Sequence, residues 1–174
     1  MSATAIQDKR DVFNPNLPAV QSRLKDMRTG WKMYLFYLTK LPSMWFWGGR
    51  LTYIDFERCE FTMPYHWASQ NPFNSTYFAS QCAAAEFSTG ALAQLALVGR
   101  GKISMLVSDI QADFTKKATS KVTFVCEEGA KIIAAVDKAI QTKEAQTVTI
   151  TSVGKMADGT ITCTTTLTWS FKAK

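Results

Sequence analysis

The chain has 174 residues, of which 47% are hydrophobic and 20% charged, which suits one domain with a substantial core. Its net charge of +6 comes from scattered basic residues, and this distribution argues against a nucleic-acid-binding face. The four cysteines form no CxxC pair, and the single histidine excludes a two-histidine metal site within one chain.

The N-terminal sequence MSATAIQDKRDVF lacks the apolar segment of a secretory signal. No apolar run reaches the ~20 residues that a membrane-spanning helix needs. We therefore expect a cytoplasmic protein without a membrane span, whose cysteines are free thiols.

Residues 1–15 are predicted to be flexible, and residues 16–47 to form a helical segment. Leu17, Val20 and Leu24 recur at helical spacing, and Gly30 kinks or divides the segment. Its second half is amphipathic and rich in aromatic residues. This half either packs on the domain or forms a lid over an apolar pocket, and the two roles are compatible.

Residues 48–174 predict a single α+β domain. Period-two alternation over residues 50–65 predicts one or two strands, and residues 65–75 are rich in turn-forming residues. Residues 77–98 are small or apolar on every side, which indicates a buried helix of about 33 Å, with Ser75 or Thr76 as its N-cap. The remaining sequence predicts strands over residues 102–115, 121–127, 145–156 and 159–172, and an amphipathic helix over residues 127–143. Because an all-apolar helix must be covered on every side, we expect the sheet to curl around it.

Glu86 is the only charged residue between Trp67 and Gly99. An isolated carboxylate in apolar surroundings is unfavourable unless it finds donors or becomes protonated. Glu86 therefore either reaches a pocket edge or subunit interface, where it is hydrogen-bonded, or acts as a general base with a raised pKa.

The spacing around Glu86 resembles that of the hotdog-fold thioesterases, in particular the PaaI-like acyl-CoA thioesterases and related uncharacterised hotdog families. In the PaaI-like pattern an Asn precedes a His-Gly-Gly helix start by six residues, and an acid follows that His by nine. Asn71, Tyr77 and Glu86 have this spacing, and AAAEFSTGA is similar to the family's Leu-Ala-Asp-x-Ala-x-Gly. ADFTKKATSKVTF also resembles the family's strand-to-strand segment, so that the similarity covers roughly residues 48–174. Two departures are the sequence Tyr-Phe-Ala in place of His-Gly-Gly and Glu in place of Asp.

The resemblance implies a hotdog fold, in which a curved antiparallel sheet wraps around a long central helix. It implies an acyl-CoA or related thioester as substrate, with coenzyme A as part of that substrate and no other cofactor, metal or nucleic acid. It also implies a homodimer, or a tetramer built from dimers, in which the acid of one chain faces the helix N-terminus of the other. Glu86 and Tyr77 lie about 13 Å apart along one helix, so a single chain would not bring both to one carbonyl.

The resemblance, together with the residues beside its motif, predicts a catalytic set and a substrate-binding set. The catalytic set is Glu86, Asn71 and Tyr77. The substrate-binding set is Asn74, Phe78, Thr89, Lys116, Lys117 and Lys121. Each has a purely structural alternative: turn-forming asparagines, packing aromatics, a core threonine and solvated loop lysines. The expected function is hydrolysis of an apolar acyl thioester. A non-catalytic acyl-CoA or fatty-acid binding protein of the same fold is the alternative, and a basic nucleic-acid adaptor is a weaker third.

Overall fold

The computed structural model describes residues 12–174, so most of the stretch predicted to be flexible, residues 1–11, lies outside the described part. Three helices come first: α1 (Pro18–Arg28), α2 (Gly30–Lys40) and α3 (Pro42–Phe46). The domain follows as β1 (Arg50–Ile54), β2 (Cys59–Met63), α4 (Phe78–Leu97), β3 (Ile103–Phe114), β4 (Val122–Cys126), α5 (Gly129–Thr142), β5 (Gln146–Met156) and β6 (Ile161–Ala173).

The six strands form one antiparallel sheet in the order β1-β2-β4-β5-β6-β3. β5 and β6 make the predicted closing hairpin, and Gly159 takes the positive φ of 85° that its turn requires. Although β3 and β4 are consecutive in the chain, β4 lies inside the sheet and β3 lies at its edge. The residues between them must therefore cross from one side of the domain to the other.

The long helix α4 is the core around which the sheet curves, as predicted. Alanine, serine and glycine dominate its buried surface, so that β2, β4, β5 and β6 can pack against it closely. Phe87 supplies bulk, with its ring 4.5 Å from Phe61 and 5.5 Å from Tyr37. The buried hydroxyls of Ser88 and Ser152 satisfy each other at 2.8 Å. This architecture is the predicted hotdog fold.

The N-terminal helical segment packs on this domain rather than extending away from it. The chain divides between α1 and α2 at Thr29–Gly30, where the sequence predicts a kink. One side of α1 is buried, and α2 buries Met33 and Tyr37. The Tyr37 hydroxyl accepts a hydrogen bond from the Leu51 N–H at 3.2 Å, which links α2 to β1. α3 begins at Pro42, whose missing N–H does no harm in a first helical turn.

The four cysteines are free thiols, as predicted. Of the helices between residues 12 and 174, none combines the length and hydropathy that a membrane crossing requires.

Candidate functional site

Glu86 lies in the wall of a pocket of about 220 Å³ between α4 and the helices α1 and α2. The apolar part of the lining is Met27, Met33, Phe36, Leu41, Phe87 and Ala91. The polar part is Arg23, Lys40, Glu86 and Gln94. The inner sides of α1 and α2 therefore cover the section of α4 that carries the acid.

The Glu86 carboxylate is half-buried, and within residues 12–174 it has neither a hydrogen bond nor an ion pair. Burial raises its pKa, because the charged form loses hydration without gaining a compensating partner. Arg23 and Lys40 line the same pocket without forming an ion pair with it. A carboxylate in this condition is free to accept a proton from a bound molecule.

Arg23 links two walls of the pocket. Its Nη2 donates a hydrogen bond of 2.9 Å to Oε1 of Gln94, which joins α1 to α4. Neither residue, nor Lys40, belongs to the site that the sequence predicts. No local pattern links a helix near residue 23 to one near residue 94, and only the fold brings them together.

The floor of the pocket is tight around Gly90. A methyl group at this position would lie 3.2 Å from Glu86 Oε1 and 3.2 Å from Cζ2 of Trp169. Thr89, predicted to bind substrate, is fully buried and lies outside the pocket lining. Its hydroxyl accepts a hydrogen bond from Trp169 Nε1 at 3.0 Å and donates one to the Glu86 carbonyl at 2.9 Å. Thr89 thus positions Trp169, and its hydroxyl is hydrogen-bonded to the Glu86 carbonyl rather than to the Glu86 carboxylate.

A second pocket, of about 360 Å³, lies at the N-terminus of α4. It brings together four of the predicted residues, and its lining is Asn71, Ser75, Thr76, Phe78, Gln81 and residues 114–118, which include Lys116 and Lys117. Lys117 is fixed there by a 3.2 Å hydrogen bond from its Nζ to the Phe73 carbonyl. Lys121 is exposed and does not line this pocket.

The first turn of α4 presents unused N–H groups. The predicted N-cap is wrong: Tyr77 precedes the helix and no side chain caps it. Ser75 is hydrogen-bonded to Asn71, and the Thr76 hydroxyl donates to the Ala118 carbonyl at 3.1 Å. Within residues 12–174 the N–H groups of Phe78 and the residue after it therefore have no acceptor. Such a helix end attracts negative charge.

Asn71 and Asn74 shape the loop that leads into this helix. Asn71 Oδ1 accepts the N–H of Phe73 at 2.9 Å, and its Nδ2 donates to Ser75 Oγ at 3.1 Å. Asn74 has a φ of 57°, a left-handed conformation that Asn tolerates better than most residues. Their hydrogen bonds and dihedral angles are those of turn residues.

Tyr77 stands between the loop and the helix. Its ring lies 5.0 Å from that of Phe78, and the two side chains are 42% and 55% exposed. The Tyr77 carbonyl accepts the N–H groups of Ser80 and Gln81, and so begins the hydrogen bonding of α4.

Within one chain the two pockets are separate. Glu86 follows Tyr77 by nine residues, which is about 13 Å along the axis of α4. Among residues 12–174, no cluster of three or more His, Cys, Asp or Glu side chains is arranged to hold a metal ion.

Residues 30–171 match a protein family described as "Domain of unknown function (DUF4442)". No curated protein matches the chain.

Solved structures with the same fold include the protein OLEI01261 of unknown function from Chlorobaculum tepidum. It has a TM-score of 0.72 and 12% identity, over 92% of this chain and 100% of the other. PA5026 from Pseudomonas aeruginosa, described as a probable thioesterase, has a TM-score of 0.69 and 13% identity, over 84% and 97% of the two chains. The thioesterase HI1161 from Haemophilus influenzae has a TM-score of 0.55 and 16% identity, over 79% and 87%. These similarities agree with the hotdog architecture.

Proposed function

The chain belongs to the DUF4442 family, and from this premise, with its hotdog fold, we propose that it is an acyl-CoA thioesterase acting on apolar acyl groups. The observation that carries the proposal is the Glu86 carboxylate, which has no partner among residues 12–174 and lies in the wall of a pocket lined by apolar and polar side chains. Its raised pKa suits a general base, which works best when its pKa lies near the operating pH.

In the proposed reaction Glu86 takes a proton from a water molecule as the water oxygen attacks the thioester carbonyl carbon. The carbonyl oxygen becomes an oxyanion, and the unpaired N–H groups at the start of α4 stabilise it. The tetrahedral intermediate then breaks its carbon–sulfur bond. Glu86 returns its proton to the departing thiolate, so that the products are a carboxylic acid and coenzyme A with a free thiol.

We assign the two pockets to the two ends of the substrate. The pocket beside Glu86 holds the acyl chain against side chains such as Phe36 and Phe87. The pocket at the α4 N-terminus receives the thioester and the start of the coenzyme A arm, and Lys116, Lys117 and Lys121 of the neighbouring segment provide a positive field for the phosphates. Tyr77 donates its phenol hydrogen at the junction, and the loop of Asn71 and Asn74 fixes that end of the helix.

The reaction needs a homodimer, because the acid and the oxyanion site are distant within one chain. The edge strand β3 offers the surface for it. β3 spans twelve residues with one free edge, and Leu106, Ile110 and Phe114 are 66%, 46% and 45% exposed. A long apolar edge strand pairs readily with another strand. We propose that β3 pairs with its equivalent in a second copy, so that each site takes Glu86 from one chain and the α4 N-terminus from the other.

One feature favours the second candidate, a non-catalytic acyl-CoA or fatty-acid carrier. The rings of Tyr77 and Phe78 stand at the start of α4, where glycines would leave more room for a thioester to approach the backbone. In a carrier the same pockets bind the thioester without attack by water.

A thiol-release assay over acyl-CoAs of increasing chain length decides between the two. The wild type is expected to release thiol, and Glu86→Gln to lose about 10²–10⁴-fold in kcat. Glu57→Gln, which neutralises an exposed carboxylate elsewhere, is the matched control and should leave turnover unchanged. Saturable binding of acyl-CoA without thiol release would establish the carrier instead.

A further inference from the structure

The outer side of α2 is an exposed apolar surface. Trp31, Tyr34, Leu35 and Leu38 follow the i, i+3, i+4, i+7 spacing of one helix face, and they are 67%, 44%, 50% and 43% exposed. The opposite side of α2 packs on the domain through Met33 and Tyr37. α2 therefore has two apolar sides, and the domain covers only one of them.

Further aromatic side chains are exposed just beyond α2. Phe46 at the end of α3 is 51% exposed, and its ring lies 5.5 Å from that of Trp67, which is 74% exposed. Trp45 of α3 contacts Tyr34 of α2, with the ring centres 6.1 Å apart. Aromatic residues of this kind are favoured where an apolar phase meets water.

The charge of residues 18–46 indicates which kind of partner would cover this apolar face. Residues 18–46 carry five Lys or Arg side chains and one Asp, which leaves +4 of the chain's net +6. Lys32 and Lys40 lie on α2, and Lys32 forms an ion pair with Asp26, the one acid of this segment. The guanidinium of Arg50 lies 5.9 Å from the ring centre of Tyr34. The apolar face thus belongs to a segment of net positive charge, with Arg50 beside one of its aromatic rings.

A second copy of this chain is a poor occupant of the face. A twofold contact of α2 with itself would oppose the same basic side chains, and Asp26, the one acid of residues 18–46, is already paired with Lys32. An anionic lipid surface fits both the positive charge and the apolar side chains of this face, since its headgroups attract the lysines and its acyl region receives the apolar side chains.

We propose that the outer face of α2 is a membrane-docking surface, with which the protein binds peripherally to bilayers that contain anionic lipids. The helix lies in the plane of the interface, with Trp31, Leu35 and Leu38 inserted and Lys32 at headgroup level. This inference does not depend on thioester hydrolysis, because the face lies on the side of α2 opposite its buried residues.

Co-sedimentation of the full chain with vesicles tests the proposal. One set of vesicles contains phosphatidylglycerol and phosphatidylcholine, and the other phosphatidylcholine alone. The wild type is expected to pellet with the anionic vesicles, and added salt should release it. Leu35→Ser/Leu38→Ser is expected to bind at least about tenfold more weakly, and Lys32→Gln about fivefold more weakly.

Ile161→Ser is the matched control, because Ile161 on β6 is 43% exposed, as is Leu38. It should bind as the wild type does, and a urea unfolding curve verifies that each variant is folded. The proposal is overturned if the wild type stays in the supernatant at low salt, or if the double leucine variant pellets equally well. It is also overturned if the double variant has a smaller native mass than the wild type in light scattering, since the face would then be buried between copies.

Discussion

Replacement of Phe78 by proline isolates the contribution of one N–H group at the start of α4. Tyr77 has φ −60° and ψ 131°, the extended conformation that a residue before proline prefers. Proline is also well tolerated at the first helical position, and the Phe78 N–H has no acceptor to lose within residues 12–174. We therefore expect Phe78→Pro to fold with the stability of Phe78→Ala to within about 0.5 kcal/mol.

The two variants share the loss of the aromatic ring and differ in the N–H group. If the N–H groups of this turn hold the oxyanion, removal of one donor lowers kcat by about 10²–10³-fold, or roughly 2.7–4 kcal/mol of transition-state stabilisation. Phe78→Ala retains the donor, so that its defect should appear mainly in KM, through lost contact with the substrate.

Thiol-release kinetics on both variants, with urea unfolding on the same samples, give the comparison. A kcat for Phe78→Pro within about threefold of that for Phe78→Ala would refute the oxyanion assignment. A marked loss of stability in Phe78→Pro would instead show that proline does not fit at this position, or that the Phe78 N–H has an acceptor.

The remaining predictions concern the same site, its support and the dimer contact. When Glu86→Gln and Phe78→Pro subunits are dissociated together and reassociated, about half of the dimers are mixed and each has one intact site, so about a quarter of wild-type activity should return. A site contained in one chain would recover none. Because burial raises the Glu86 pKa, kcat/KM should rise with pH through that raised pKa as the base ionises. The stability of the wild type relative to Glu86→Gln should fall as pH rises from the ordinary Glu pKa through the raised one, and should not change with pH below the ordinary value; urea unfolding between about pH 4 and pH 8 measures it. Thr89→Val leaves the buried Trp169 N–H without an acceptor and should destabilise the fold by about 1–3 kcal/mol in urea unfolding, whereas Thr89→Ser keeps the acceptor. Ile110→Lys places a charge on the free edge of β3 and should halve the native mass in light scattering; an unchanged dimer would exclude β3 as its interface.

The isolation of Glu86 combines a penalty in stability with the raised pKa that the proposed general base requires. A carboxylate with hydrogen-bond donors would be more stable, but its basicity would be reduced by them. Glu86 lies beside alanines in the middle of α4, and within residues 12–174 it lacks such donors. The proposed general base would therefore be less stabilising than a hydrogen-bonded carboxylate at the same position.

Local sequence determined most of the elements. Small residues on every side of residues 78–97 identify a buried helix whatever surrounds it, because no amphipathic pattern is left to face water. Strict alternation identifies β5 and β6, and the turn at Gly159 joins them as a hairpin. The unusual position of Glu86 is visible in the same way, since it depends only on the residues beside it in the chain.

Which helices and strands pack against one another depends on the tertiary structure. Sequence periodicity reports which side of an element is apolar, but not which distant element covers it, because packing partners are chosen by shape and chain connectivity. Thus only the fold shows that α1 and α2 close the Glu86 pocket, that Arg23 reaches Gln94, and that β3 is an edge strand. For the same reason the hydrogen bond between Thr89 and Trp169 could not be predicted from the sequence, since the two residues lie 80 positions apart in the chain.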